Sequence, residues 1–286
     1  MLFRRCLQTH SFRLVRFGML SKDFGPSKPR AHSNELRRSK TTPWMGLSRI
    51  LLLLFSLVTR KTICSCPGVT YHTCDISSSA DVERVFAEAK PEVIFHVACP
   101  DSTVQQPAAF QRVNVIGARN LLTAARNVRT LQAFVDVTTS SVIHDNLTDL
   151  VDADETLMVL KYSAQKRVYT LTKAEAEVET LSAKSENGDP SMLTVSFRPA
   201  TAFGEQRDTI YMGKIVANAR AGKEKLQMGP GANLYDFVYI SNLVDLHILA
   251  ADALVRAYGK PLPPSDMRVY GESFNVTNDE RPPSRT

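Results

Sequence analysis

From Val69 onward the chain alternates short unbroken apolar runs with stretches of helical apolar spacing, and this alternation restricts the fold more tightly than any other feature. Val69-Thr-Tyr-His72 reads as a strand and Cys74-Asp-Ile-Ser77 as the turn after it. Val82, Val85, Phe86 and Ala89 fall on one helix face within residues 81–90, and Val93-Ile-Phe-His-Val97 is an apolar run of the buried-strand kind. The same rhythm predicts a helix over residues 110–127, a strand over 133–137, a helix from Tyr169 to about Lys184 and a strand over 193–197. Repeated strand-helix-strand units give the α/β class, a doubly wound parallel sheet with helices on both faces.

Such sheets bind ligands just past the carboxyl ends of their strands. Asp75, Ala98, the hydroxyl cluster Thr138-Thr139-Ser140-Ser141 and Pro199 therefore share one rim. One loop after the hydroxyls, Tyr169 and Lys173 stand four apart, on one face of a helix. A phenol with a free pKa near 10 is a poor acid or base at neutral pH, and a cation one turn away favours its phenolate. A hydroxyl at the strand end can hold a carbonyl or alcohol oxygen while the tyrosine passes the proton and a hydride moves. Tyrosine and lysine at this spacing also occur by chance on exposed helices. Here they follow a strand ending in hydroxyls and precede a helical run, an apolar strand and Arg198-Pro199. Asp75 suits either an adenine amino group or a helix-capping turn, because both use the same short carboxylate.

The amino-terminal part is different in kind. Residues 1–61 hold thirteen Lys/Arg against Asp23 and Glu35, which leaves 22 basic and 27 acidic residues in the remainder, net acidic by five. That excludes a nucleic-acid surface on the globular part. Residues 1–20 are Arg-rich and acid-free, like a mitochondrial-type transit peptide, and 21–43 read as disorder. The apolar run at residues 50–58 is too short for a transmembrane helix and reads as a buried strand, helix or interfacial segment. Residues 1–66 are thus expected outside the fold, with a catalytic and dinucleotide-binding domain over 67–205 and a substrate lobe over 206–286. Residues 236–240 are expected to form a strand carrying that lobe back to the sheet. Five cysteines with no second ligand pair make neither a disulfide framework nor a metal site; Cys74 and Cys99 read as buried thiols.

With these residues in place, the chain from about Gly68 to Glu280 resembles the extended short-chain dehydrogenase/reductases, and within them the 3β-hydroxysteroid dehydrogenase/isomerase family. The segments that carry the resemblance are Val69-Thr-Tyr-His-Thr-Cys-Asp-Ile76, Val93-Ile-Phe-His-Val-Ala-Cys-Pro100, Val113-Asn-Val-Ile-Gly117, Ser141-Val-Ile-His-Asp145, Tyr169-x-x-x-Lys173, Arg198-Pro-Ala-Thr-Ala-Phe-Gly204, Asn233-Leu-Tyr-Asp-Phe-Val-Tyr239 and Phe274-Asn-Val-Thr-Asn-Asp-Glu280. The resemblance implies a Rossmann-like fold in which Tyr169 transfers the proton and Lys173 supports it and holds the nicotinamide ribose. Thr139 takes the usual serine position, with Ser140 and Ser141 as neighbours that serve if the turn is shifted. Asp75 and Ile76 match the adenine contact, Val97 and Ala98 the cofactor wall, Asn114 a position beneath the cofactor, and Pro199 the rim.

Two departures stand out. Members of the family open with a strand and a Gly-x-x-Gly-x-x-Gly turn that binds the pyrophosphate, and no such stretch precedes Gly68. They also extend beyond the point matching Thr286. The expected activity is oxidation of a sterol 3β-hydroxyl to a ketone with NAD or NADP, with loss of a 4-carboxylate where one is present. The alternatives are a nucleotide-sugar epimerase or dihydroflavonol-type reductase on the same scaffold, and a non-catalytic remnant without the phosphate site. The resemblance further implies a sterol-like substrate, association with a membrane surface, a homodimer, and a location at the endoplasmic reticulum or in the cytoplasm.

Overall fold

The computed structural model describes residues 12–17, 50–55, 69–102, 106–183, 192–204, 212–223, 235–261, 263–264 and 267–278. The disorder expected at 21–43 and most of the loops of the expected substrate lobe lie outside these residues.

The main sheet is parallel throughout. Its strands are β1 (Phe12–Phe17), β2 (Ile50–Phe55), β3 (Val69–Thr73), β4 (Val93–His96), β5 (Ala133–Val137), β6 (Leu193–Pro199) and β9 (Ser273–Val276), in the order β3-β1-β2-β4-β5-β6-β9. Two strands thus come from the stretch expected outside the fold. Ile50-Leu-Leu-Leu-Leu-Phe55 lies between β1 and β4, and its unbroken apolar sequence suits a parallel strand covered on both faces. The order reverses across β2 and β4, so the ligand crevice belongs at the carboxyl ends of these central strands.

One face of the sheet carries α1 (Ser79–Ala89), α3 (Gly117–Asn127) and α4 (Val168–Ser182); the other carries α6 (Ile240–Ala257). Helix α1 starts where the Ser78 hydroxyl accepts from the Asp81 amide and stops at Lys90 in a left-handed conformation. Its buried residues are the four expected: Val82, Val85, Phe86 and Ala89. They join Ile94, Phe134, Leu121 and Ile76 in one core cluster, while Val135, Val195, Phe197 and the α6 residues Leu243, Ala251 and Leu254 belong to a second.

The predicted helix over 110–127 is built in three pieces: a short turn α2 (Pro107–Phe110), a π-helical stretch Gln111–Ile116, and α3. The glycine that opens α3 is sterically required. A Cβ at Gly117 would lie 2.4 Å from Cδ1 of Ile76, which is itself buried.

The strand expected at 236–240 does not return to the main sheet. Phe237–Tyr239 is β8, paired in parallel with β7 (Thr201–Phe203) in a separate two-stranded sheet where Phe203, Phe237 and Tyr239 pack together. The place beside β6 is taken by β9. Helix α5 (Met212–Arg220) covers most of the helix expected between Ile215 and Ala221.

Candidate active site

Strand β5 is buried along its whole length and ends in Thr138, whose amide donates to the Phe197 carbonyl at 2.7 Å, so the strand pairing continues one residue further. Thr139 then caps a single 3-10 turn, Ser140–Ile143, its hydroxyl accepting from the Ser141 amide at 3.3 Å. That turn fixes which hydroxyl faces the site. Of these hydroxyls it is Thr139 that acts on the Tyr169 phenol, favouring its ionised form.

Tyr169 enters at the second residue of α4. The entry is set by Gln165, a buried residue whose Nε2 donates to the His144 carbonyl at 2.6 Å while its Oε1 accepts from the Lys166 and Arg167 amides at 2.8 Å each. Burial pushes the Tyr169 phenol above its usual range, outweighing the downward effects of Lys173 and the Thr139 bond.

Lys173, one turn on, is 4% exposed and donates from Nζ to the Val137 carbonyl at 2.7 Å. Burial alone would lower its pKa. The surrounding Cys99, Asp136, Tyr169 and Glu177 outweigh that, and the ammonium is held above the ordinary lysine value. Thr139, Tyr169 and Lys173 are therefore brought together: a hydroxyl, a phenol and a fixed cation at the end of one central strand.

Asn114 lies in the π-helical stretch, buried, with Nδ2 donating to Thr172 Oγ1 at 3.0 Å. Its Oδ1 is a buried acceptor without a hydrogen-bond partner among the described residues. Asp75 makes the capping turn: Oδ1 accepts from the Ser77 amide and hydroxyl, and Oδ2 lies 3.3 Å from Arg112. Ile76 and Ala98 turn their side chains into the core, Val97 packs partly buried against the α6-side cluster, and Pro199 is half-buried at the end of β6.

Several residues of the site were not singled out in the sequence. His96, Asp136 and Ser196 stand side by side on β4, β5 and β6, with His96 Nδ1 2.9 Å from Asp136 Oδ1 and Ser196 Oγ donating to Oδ2 at 3.2 Å. The His96 hydrogen bond, the Lys173 ammonium and the Ser196 hydroxyl hold the Asp136 carboxyl below the usual range against the opposite pull of burial. Arg198 grips Glu177 through Nε, at 2.9 and 3.2 Å from its two oxygens, and both residues are buried. The visible signal was a polar residue inside an apolar run: Asp136 in Ala133–Val137, and His96 in Val93–His96.

A nicotinamide dinucleotide fits one end of this rim better than the other. The Tyr169 and Lys173 heads and the orphaned Asn114 Oδ1 suit a ribose and its ring. The chain leaving β2 runs Ser56-Leu-Val-Thr-Arg-Lys61 without a glycine, so it lacks the residue type that lets backbone amides approach a pyrophosphate.

The sequence profile of the 3-beta hydroxysteroid dehydrogenase/isomerase family matches residues 50–285. Arabidopsis thaliana 3beta-hydroxysteroid-dehydrogenase/decarboxylase isoform 1 is 35% identical over 213 residues, 74% of this chain and 45% of that protein. The decarboxylating sterol-4-alpha-carboxylate 3-dehydrogenase of Saccharomyces cerevisiae is 33% identical over 211 residues, 74% of this chain and 56% of that one. Its Homo sapiens counterpart is 31% identical over 216 residues, 75% and 52%. The chain spans about half the length of these curated relatives. Among solved structures, the UDP-glucose 4-epimerase of Thermus thermophilus in complex with NAD superposes with a TM-score of 0.60 at 24% identity, covering 80% of this chain and 70% of that one. The Bordetella bronchiseptica enzyme WbmG, with NAD and UDP, gives 0.62 at 16%, covering 82% and 66%. These likenesses establish the Rossmann-like α/β fold.

Proposed function

We propose that this chain, which belongs to the 3-beta hydroxysteroid dehydrogenase/isomerase family, carries the proton-transfer end of a site that oxidises the 3-hydroxyl of a sterol-like alcohol to a ketone. The observation that carries the proposal is the meeting of Thr139, Tyr169 and Lys173 at the end of β5, with Lys173 buried and fixed on the Val137 carbonyl.

Hydride acceptance from the carbinol carbon is the chemistry that NAD or NADP supplies when bound. The Thr139 hydroxyl holds the substrate oxygen and Tyr169 removes its proton. It does so as the phenolate, which the Lys173 ammonium stabilises, and becomes the neutral phenol. Lys173 and Tyr169 would also hold the ribose, with Asn114 beneath it, Val97 and Pro199 as walls and Asp75 at the adenine end. Where the substrate bears a carboxylate at C4, the ketone makes it a β-keto acid. The C4 to carboxyl bond then breaks, carbon dioxide leaves, and the electron pair passes to the ketone oxygen as an enolate that takes up a proton.

The side chains of the segment leading into α4 support an apolar substrate. Leu147, Val151, Met158 and Tyr162 are 87%, 73%, 84% and 80% exposed. Acidic neighbours Asp145, Asp149 and Asp152 make the same segment a poor place for the phosphates of a nucleotide sugar, which call for Arg and Lys donors. A membrane surface as the source of substrate, and a homodimer, are further parts of the proposal. No helix among the described residues is long and apolar enough to cross a membrane. A second reading, a non-catalytic chain unable to hold dinucleotide, is favoured by the glycine-free sequence after β2.

The deciding experiment sets a 3β-hydroxysterol, with and without a 4-carboxylate, beside a UDP-sugar in turnover assays with NAD and NADP. Ketone formation from the sterol alone is expected. Turnover of the sugar alone overturns the substrate assignment, and no turnover with saturating dinucleotide favours the second reading.

A further inference from the structure

The two faces of the central sheet differ in chemistry. Toward α6 the strands present Val135, Val195 and Phe197; toward α4 they present His96, Asp136, Thr194, Ser196 and Arg198, all buried. Helix α4 answers with buried Thr172, Lys173, Glu177 and Thr180. Two cations and two carboxylates are thus enclosed between one helix and three strands. Charges removed from water must be balanced locally.

Arg198 and Glu177 balance each other through a fork of hydrogen bonds. That leaves Lys173 and Asp136. Lys173 Nζ binds the carbonyl of Val137, a neutral acceptor in the residue that follows Asp136 on β5. We propose that Asp136 is a positioning residue for the proton transfer, a buried counter-charge that keeps Lys173 an ammonium ion seated on the Val137 carbonyl. This rests on the roles proposed above for Tyr169 and Lys173.

The other groups around the pair leave this task to Asp136. Lys173 is faced by Cys99 after β4, whose thiol burial pushes up, and by Tyr169 and Glu177 on its own helix, of which Glu177 is taken by Arg198. Asp136 is faced by His96 on β4, Ser196 on β6 and Lys173 on α4, while His247 on α6 feels its charge from across the sheet. An ionised carboxylate only accepts, so the His96 ring and the Ser196 hydroxyl both donate to Asp136 and hold it as an anion. Lys173 and Asp136 each favour the other's charged form.

The test is a double-mutant cycle on the full chain, read by urea unfolding. Asp136→Asn should lower the unfolding midpoint when Lys173 is present, and should leave it unchanged or raise it in a Lys173→Met background, where Asp136 is the unbalanced charge. An equal loss in both backgrounds, including failure to fold in both, overturns the proposal. A second readout is the alkaline limb of the rate profile. It should move at least tenfold in proton concentration toward neutral pH in Asp136→Asn and stay in place in Ser196→Ala; movement in neither variant, or the same movement in both, also overturns it. If the unsubstituted chain shows no turnover, the oxidoreductase reading fails on that result, while the stability cycle still decides the role of Asp136.

Discussion

Phe110 meets the Tyr169 ring edge to face, with centroids 5.7 Å apart. The contact is made by the ring and not by the hydroxyl, so the two properties of this side chain separate cleanly. Tyr169→Phe should keep the packing and lose only the proton, lowering the rate by about 10²–10⁴-fold with unchanged unfolding behaviour. Because the phenol is pushed above its usual range, alcohol oxidation in the unsubstituted protein should speed up as pH rises through neutrality. Near-normal turnover by a folded Tyr169→Phe variant removes the assignment.

The 3-10 turn after β5 makes the neighbouring hydroxyls unequal. Thr139 reaches the phenol, whereas Ser141 lies at 3.4 Å from the Thr139 oxygen and at the start of the turn. Thr139→Ala should therefore cost more in turnover than Ser141→Ala. Steady-state rates of the two variants decide it, and the opposite ranking would place the substrate oxygen one residue further along.

The Arg198 and Glu177 pair predicts a strong asymmetry in stability. Replacing Arg198 by Met leaves Glu177 buried, at 0% exposure, without its partner. That should cost about 3–5 kcal/mol, most of it recovered when Glu177→Leu is added. Denaturant unfolding of the single and double variants measures both terms. A double variant as unstable as the single one contradicts the charge argument.

His247 should make folding stability depend on pH in the mildly acidic range. Its Nδ1 lies 2.6 Å from the Leu243 carbonyl, which can only accept, and its ring packs 5.0 Å from that of Phe197. Burial lowers its pKa from 6.5 to about 4. The folded pKa is the depressed one, so between pH 6.5 and about 4 the unfolded chain binds the extra proton and stability falls as pH falls. The loss attributable to this residue is about 3 kcal/mol at full extent. Urea midpoints at pH 7 and pH 5 should converge in His247→Leu relative to the unsubstituted protein; an unchanged pH slope rules the assignment out.

Dinucleotide affinity should be weak in the chain as it stands. Strand β2 occupies the central position, yet the sequence after it, Ser56 to Lys61, contains no glycine, and the charges that Arg60 and Lys61 bring are no substitute for a run of backbone amides. Titration with NADH and NADPH, read by cofactor fluorescence, should show little binding; a variant with a family-type glycine turn in place of the residues after β2 should gain it. Micromolar binding by the unaltered chain would show that residues 49–61 make a phosphate site of another kind.

The strands and helices of residues 69–199 were legible because each carries its own periodicity, and Tyr169 and Lys173 were legible because a helix fixes their spacing. What escaped depends on partners distant in sequence. Phe12–Phe17 reads as part of an Arg-rich leader until β2 and β3 flank it. Phe237–Tyr239 looks like a strand of the main sheet, but its partner is Thr201–Phe203. The π-helical stretch arises from a shift in backbone bonding that leaves the apolar spacing unaltered. Asp136 was visible as a polar residue in an apolar run, but its bonds reach residues 40 positions before it and 60 after it.

The cross-strand trio His96, Asp136 and Ser196 also bears on how the chain avoids misassembly. Parallel strands of continuous apolar sequence slide past one another easily, because each offset buries a similar amount of surface. A slip of β5 by one residue would turn Asp136 out of its pocket and into the layer of Phe197, Leu243 and Leu254, a naked carboxylate in hydrocarbon. The wrong pairing is then penalised at its most central point, so a group that serves a lysine in the finished protein also acts as a lock against mis-threaded sheets while the protein forms.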